Sequence, residues 1–170
     1  MARVLQVVER NKADKGYRFL NYIIDFGFSV VMIWMLAFLF VFAQYLVNGT
    51  EMEEAIDDIT NINPLVDRVG TLLVYGLIMF LVEKFSNGRS LGKLITGTKV
   101  VKTDGSDLTT DDLLKRNFAR AVPFDQLSFL GNSGWHDNWS NTRVVKAKDY
   151  DRARNMQNEI ESLGMKENLQ

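Results

Sequence analysis

Asp25 is a carboxylate inside the otherwise apolar run from Tyr22 to Val47. At about 1.5 Å of rise per residue, that run as a helix exceeds the ~30 Å hydrocarbon core of a bilayer. An aspartate at such a depth costs roughly 2.5–3.5 kcal/mol, so it marks a site that handles ions or protons, or a polar lock between segments. Arg18, Asn21 or Tyr22, Asp25 and Ser29 recur at steps of three and four, which puts them on one helical face. A polar stripe on a helix otherwise suited to lipid must face protein or water. Arg18 is not the expected partner of Asp25. The two lie about 10 Å apart along the axis, and helical side chains lean toward the N-terminus, carrying Arg18 away. Asp25 is expected to find its partner on another segment or another subunit.

Other chemistries find little support. The chain has no cysteine, which excludes disulfides, thiolate nucleophiles and zinc–thiolate sites. One histidine, His136, rules out a multi-histidine metal cluster within one subunit. Gly88 to Lys93 resembles a phosphate loop superficially, but the glycine spacing is short by one and Leu94 replaces the Ser or Thr. Those glycines are expected to permit a tight turn out of the membrane. No nucleophile–base pair is apparent, so neither an enzyme nor a bound cofactor is expected. The basic residues track the membrane rather than one soluble face, which argues against nucleic acid.

The elements that must position Asp25 are legible from hydropathy and charge. A hydrophobic share of 46 % and a net charge of −1 would suit a soluble protein, but the apolar residues are pooled in two blocks. These predict an α-helical membrane protein, a two-span hairpin with spans at about 19–47 and 65–85. The first is too long for a signal-peptide core and no A-x-A site follows, so it is expected to be retained. The second is flanked by Asp67 and Arg68 before and by Glu83 and Lys84 after, charges expected at the headgroups. Arg3, Arg10, Lys12, Lys15 and Arg18 precede the first span, while Lys84, Arg89, Lys93, Lys99 and Lys102 follow from the end of the second. The connection holds Glu51, Glu53, Glu54, Asp57, Asp58 and Asp67 with no Lys or Arg, and is expected to be a solvated outer loop. The positive-inside rule therefore places both termini in the cytoplasm. Asn48-Gly49-Thr50 matches a glycosylation sequon in that loop, a weak motif.

Beyond the spans, Thr98-Lys99-Val100-Val101, ended by Asp104-Gly105, is matched by Thr142-Arg143-Val144-Val145. The two runs are predicted as strands at about 97–102 and 141–146, paired into a small cytoplasmic β element. Thr109 or Thr110 caps a helix over Asp111 to about Ala121, halted near Pro123. Val122 to Leu130 reads as interfacial or re-entrant, being too short to span. Trp135 and Trp139 suit the headgroup region, and Thr71 with Tyr75 suggests an interhelical hydrogen-bonding face. From Asp149 a charged helix carries Ala153, Met156, Ile160 and Leu163 as a narrow stripe, expected to pack or to dock on a partner. The chain divides into a basic segment (1–17), a membrane domain (18–146) and a charged C-terminal helix or tail (147–170).

The stretches Arg18-Phe19-Leu20-Asn21-Tyr22-Ile23-Ile24-Asp25, Gly88-Arg89-Ser90-Leu91-Gly92-Lys93, Gly97 to Val101, Arg116 to Arg120, and His136-Asp137 before Thr142 occur in the order that resembles the RDD family of small bacterial membrane proteins. By that resemblance Arg18 and Asp25 take the first two signature positions and Asp137 the third. It covers residues from about 16 to 146 and implies a fold and a site, with ion or solute transport the usual suggestion. Many members look as if they carry a third apolar span before the last aspartate. Here Ala121 to Trp139 is broken by Pro123, Asp125, Gly131 and Gly134, and a third crossing would separate the two basic segments, so two spans are expected.

The polar membrane site expected from these observations comprises Arg18, Asp25, Arg116, Arg120 and Asp137, supported by Tyr22, Ser29 and His136. Arg116 and Arg120 are the leading candidates to satisfy Asp25, and His136 is expected to hydrogen-bond Asp137. Two functions follow. In one, an accessory or structural subunit uses Asp25 to lock its helices to the cytoplasmic segment. In the other, an oligomeric transporter or channel component moves protons or monovalent cations past Asp25; two spans cannot enclose a pathway alone. Expected partners are membrane lipids and either further copies or another subunit of a membrane complex. The expected location is the bacterial plasma membrane.

Overall fold

The computed structural model describes residues 4–120, 122 and 134–167. Its elements, in chain order, are α1 (Gln6–Arg10), α2 (Lys15–Asn48), α3 (Met52–Thr60), α4 (Pro64–Phe85), α5 (Leu91–Thr96), β1 (Thr98–Lys102), α6 (Thr110–Ala119), α7 (Trp135–Trp139), β2 (Thr142–Lys146) and α8 (Ala147–Glu167). The molecule is mostly helical, and α2 and α4 are long and apolar enough to cross a membrane.

The burial of α2 is inverted relative to a soluble core helix. Its buried residues are Arg18, Asn21, Asp25, Ser29 and Val41, while Trp34 is 73 % and Phe38 63 % exposed. Apolar side chains facing outward along the whole helix suit lipid, and the polar stripe is what the protein covers. Asn63 caps α4 by accepting from the Leu65 N–H (2.9 Å), and Pro64 occupies the first turn, where no donor is lost. Tyr75, Met79 and Glu83 continue down one side of α4 and are all buried. On that side the Ser29 hydroxyl lies 3.5 Å from the Met79 sulfur, where α2 and α4 meet. Thr71 is exposed, so the Thr71–Tyr75 face reduces to Tyr75.

The acidic connection is not a plain loop. α3 carries Glu53 and Glu54 in its first turn, where they suit the positive end of the dipole. It sets Ile56 and Ile59 beside Trp34, Phe38 and Val41 of α2, around an apolar groove.

β1 and β2 pair antiparallel with Val100 opposite Val144. Their matching Thr-basic-Val-Val runs bury both faces. Thr98, Val100, Thr142 and Val144 share one side, while Val101 and Val145 pack with Val8 and Tyr150 on the other. The basic N-terminal segment joins this second layer. Leu5 donates to Thr103 O (2.9 Å), Ala13 to Val144 O (2.9 Å), and Lys146 to Asn11 O (2.9 Å), so the chain runs along the edge of the sheet before entering α2. Thr109, not Thr110, caps α6 through a reciprocal box with Asp112, and the helix ends at Ala119. Apart from Val122, the segment expected to be interfacial lies outside the described residues, as does Pro123. Along α8, Met156, Ile160 and Leu163 are exposed rather than packed.

Candidate functional site

Asp25 projects from α2 onto the start of α5. Its Oδ2 accepts from the Ser90 hydroxyl (2.6 Å) and its Oδ1 from the Gly92 backbone N–H (2.8 Å). A carboxylate that accepts charge-assisted bonds of this kind can remain buried, and Asp25 is only 2 % exposed. The approach is close enough to require glycine. A Cβ at Gly92 would lie 2.5 Å from Asn21 O and 2.8 Å from Asn21 Cα. The turn leading there is built by Asn87 (φ 51°) and Gly88 (φ 76°), consecutive residues in the left-handed region. Asn21 fastens the other end of α5: its amide oxygen accepts from Thr98 Oγ1 (3.0 Å) and its nitrogen donates to Gly92 O (3.0 Å).

Asp25 is therefore satisfied from beyond residue 88, but not by an arginine. Arg116 and Arg120 are engaged elsewhere because Glu83 competes for them. Glu83, expected at the level of the headgroups, is fully buried within the protein at the hub of an ionic network. Its Oε1 meets Lys93 Nζ (2.5 Å) and Arg120 Nη1 (3.4 Å); its Oε2 accepts from Asn117 (2.9 Å) and lies 3.6 Å from Arg116 Nε. Lys93 also donates to Ser90 Oγ (3.0 Å), joining the Glu83 hub to Asp25. Arg116 Nη1 donates to Thr142 Oγ1 (2.8 Å) and to Asp137 Oδ1, and Asp137 Oδ2 accepts from Arg18 Nη2 (2.6 Å). The connections form a ring: from Asp25 through Ser90, Lys93, Glu83, Arg116 and Asp137 they return to α2 at Arg18.

The remaining expected residues sit around this ring. Tyr22 is on the wall of a cavity of about 50 Å³ lined also by Arg18, Asp25, Tyr75, Lys93, Arg116 and Arg120. His136 reaches the same cavity, and its Nε2 is 3.7 Å from Asp137 Oδ1, longer than the expected His136–Asp137 hydrogen bond. Ser29 stands apart, donating to the Asp25 backbone carbonyl (2.8 Å) one turn back. Trp135 and Trp139 stack on each other, 6.3 Å between ring centres, and both are exposed.

The charges perturb one another. Burial would raise the Asp137 carboxyl, but Arg116, His136 and Arg18 hold it well below the usual carboxylate range. Burial would lower Arg120, and Glu83 more than reverses that. Burial pushes the Lys93 ammonium down to about 8 despite Glu83, with Arg120 and Arg116 adding repulsion. Four cations, Arg18, Lys93, Arg116 and Arg120, share three carboxylates, Asp25, Glu83 and Asp137. The arrangement can hold elements in register and can attract a further negative charge. Among the described residues, no group of three His, Asp or Glu side chains is placed to hold a metal ion.

Glu83, Ser90, Gly92, Lys93 and Asn117 were not singled out as site residues from sequence. One available signal was the step of four from Tyr75 through Met79 to Glu83, which carries a glutamate onto the buried side of α4.

The model of the RDD family matches residues 12–145. No curated protein and no solved structure matches the chain.

Proposed function

The chain belongs to the RDD family, a family of membrane proteins, and from that premise we propose that it is an accessory or structural subunit whose buried ring locks two membrane spans to the sheet. In this reading α2 and α4 cross the bacterial plasma membrane as a hairpin. The sheet, α6 and α8 lie on the cytoplasmic side with both termini, and α3 lies outside. The lysine and arginine asymmetry around the spans supports that orientation. The observation that carries the lock is the pairing of Asp25 at both oxygens. Both its oxygens are taken by donors of Ser90 and Gly92, as a fixed joint requires. Buried ion pairs add little net stability over an apolar core, yet breaking one costs about 3–5 kcal/mol, so such a ring acts chiefly on register. Lipid covers the outward faces of α2 and α4, and further copies or another membrane subunit complete the assembly.

Two experiments test this. Single cysteines at Glu54 and Asn158, in a chain with no native cysteine, should react with an impermeant reagent from opposite sides; labelling of both from outside overturns the orientation. Purified protein in liposomes is then assayed for proton, sodium and lithium flux, wild type against Asp25→Asn, with folding followed in parallel. The lock predicts no flux above empty liposomes and a loss of yield and thermal stability in the variant. Wild-type flux that Asp25→Asn abolishes without loss of folding would overturn the lock in favour of an ion pathway.

A further inference from the structure

The ring is not balanced, and its imbalance faces a cavity. Arg116 is fully buried and lines that cavity, yet its Nη2 has no hydrogen-bond partner among the described residues. Leaving a buried guanidinium nitrogen unpaired carries the desolvation penalty of a charged group, so such an atom asks for an explanation. Among the described residues the hydrogen-bond and ion-pair contacts of Arg120, on the same wall, are long, 3.4 Å to Glu83 Oε1 and 3.4 Å to Asn117 Oδ1. Glu83 and Asp137 do not line the cavity, and Asp25, which does, has both oxygens bonded. Asp25 is turned to Ser90 and Gly92, Glu83 to Lys93 and Asn117, and Asp137 to Arg18 and Arg116. Tyr75 and His136 add donors to the lining.

We propose that this cavity binds a phosphate-type oxyanion, held by Arg116 and Arg120. Guanidinium forks match the planar pairs of oxygens that such a group presents, and one added negative charge offsets the excess cation. Among the described residues a bare cation there would meet four positive groups and no carboxylate oxygen without a bonded partner. A cavity of about 50 Å³ has room for the oxygens of one phosphate group. The cavity is lined from both candidate spans, so the group can arrive free in solution or as the phosphate of a lipid. The lock does not require this ligand, and the two ideas fail separately.

The test uses purified full-length protein in neutral detergent. Thermal unfolding is followed against inorganic phosphate, with chloride at matched ionic strength as reference. Saturable stabilisation by phosphate but not chloride is expected, and Arg120→Gln should raise the half-saturating concentration at least tenfold. If Arg120→Gln does not fold, Arg120→Lys keeps the charge without the fork and should still weaken binding several-fold. In a second arm, native mass spectrometry compares retention of phosphatidylglycerol and phosphatidylcholine. Retention of the anionic lipid that is lost in the Arg120 variant, without an effect of free phosphate, assigns the site to a lipid phosphate. Neither phosphate stabilisation nor anionic-lipid retention by folded wild type, or binding that the Arg120 variants leave unchanged, would overturn the proposal.

Discussion

Replacing Gly92 by alanine tests the joint at its tightest point. The added methyl would sit 2.5 Å from Asn21 O, 2.8 Å from Asn21 Cα and 3.0 Å from Asp25 Oδ1. Two of those neighbours are backbone atoms of a long helix and cannot swing aside. α5 must retreat from α2, which lengthens or breaks the 2.8 Å bond from Gly92 N–H to Asp25 and strains the 2.6 Å bond from Ser90. Overpacking costs about 1–3 kcal/mol. Loss of a hydrogen bond to a buried charge costs about 1.5–3 kcal/mol more. Together these put Gly92→Ala on the order of 3–5 kcal/mol below wild type. At about 2–4 °C per kcal/mol for a chain of this size, the unfolding midpoint should fall by roughly 6–20 °C. Intrinsic tryptophan fluorescence during thermal unfolding in detergent measures it. Gly27→Ala is the control, because a Cβ there meets nothing within 4 Å and alanine gains up to about 1 kcal/mol inside a helix. A midpoint for Gly92→Ala equal to that of wild type would refute the close-approach reasoning.

Asp25→Asn keeps an acceptor for the Gly92 N–H and should cost about 1 kcal/mol, whereas Asp25→Leu strands two donors at about 1–3 kcal/mol each; yield and unfolding midpoint should rank them in that order. Glu83→Gln leaves Lys93, Arg116 and Arg120 clustered without their anion and should cost about 3–5 kcal/mol. Adding Lys93→Met should recover part of that loss, and a strictly additive double mutant would argue against the Glu83 hub. Lys93 has a pKa of about 8 when folded against 10.5 as a free side chain, so between those values the unfolded chain binds more protons and stability should rise with pH. Lys93→Met should flatten that rise, and an unchanged slope in unfolding midpoint against pH would count against Lys93 as the strained cation.

What sequence made legible was whatever depends on period and charge sign. The polar stripe of α2 repeats at helical spacing, so Arg18, Asn21, Asp25 and Ser29 were assignable to one side before any partner was known. The matched Val-Val runs have the β-branched character of strands, and Thr109 with Asp112 has the spacing of a capping box. Partner choice was not legible, because it depends on backbone groups and on distance. Gly92 offers Asp25 an N–H that every non-proline residue possesses, and only the approach of α5 makes it available. Glu83 was read by its neighbour Lys84 as a membrane flank, although its helical position aligned it with buried Tyr75 and Met79. Once Glu83 turns inward, it draws Arg116 and Arg120 away from the aspartate they were expected to meet.

The ring begins and ends on α2, and this has a consequence for biogenesis. Asp25 is separated from Ser90 by 65 residues and Arg18 from Asp137 by 119. At about 5–20 residues per second, a ribosome needs roughly 6–24 s to make Asp137 after Arg18. For roughly the first half of that interval Asp25 lacks Ser90 and Gly92, and throughout it Arg18 lacks Asp137. In the proposed topology the span therefore enters the bilayer on its apolar residues alone, and the ring is expected to close only after insertion. Nascent chains arrested before residue 88 should insert yet remain protease-sensitive around residue 18, and chains arrested beyond residue 146 should become protected there. The short helix α7, made late in the chain, thus supplies the contact that closes the ring on α2.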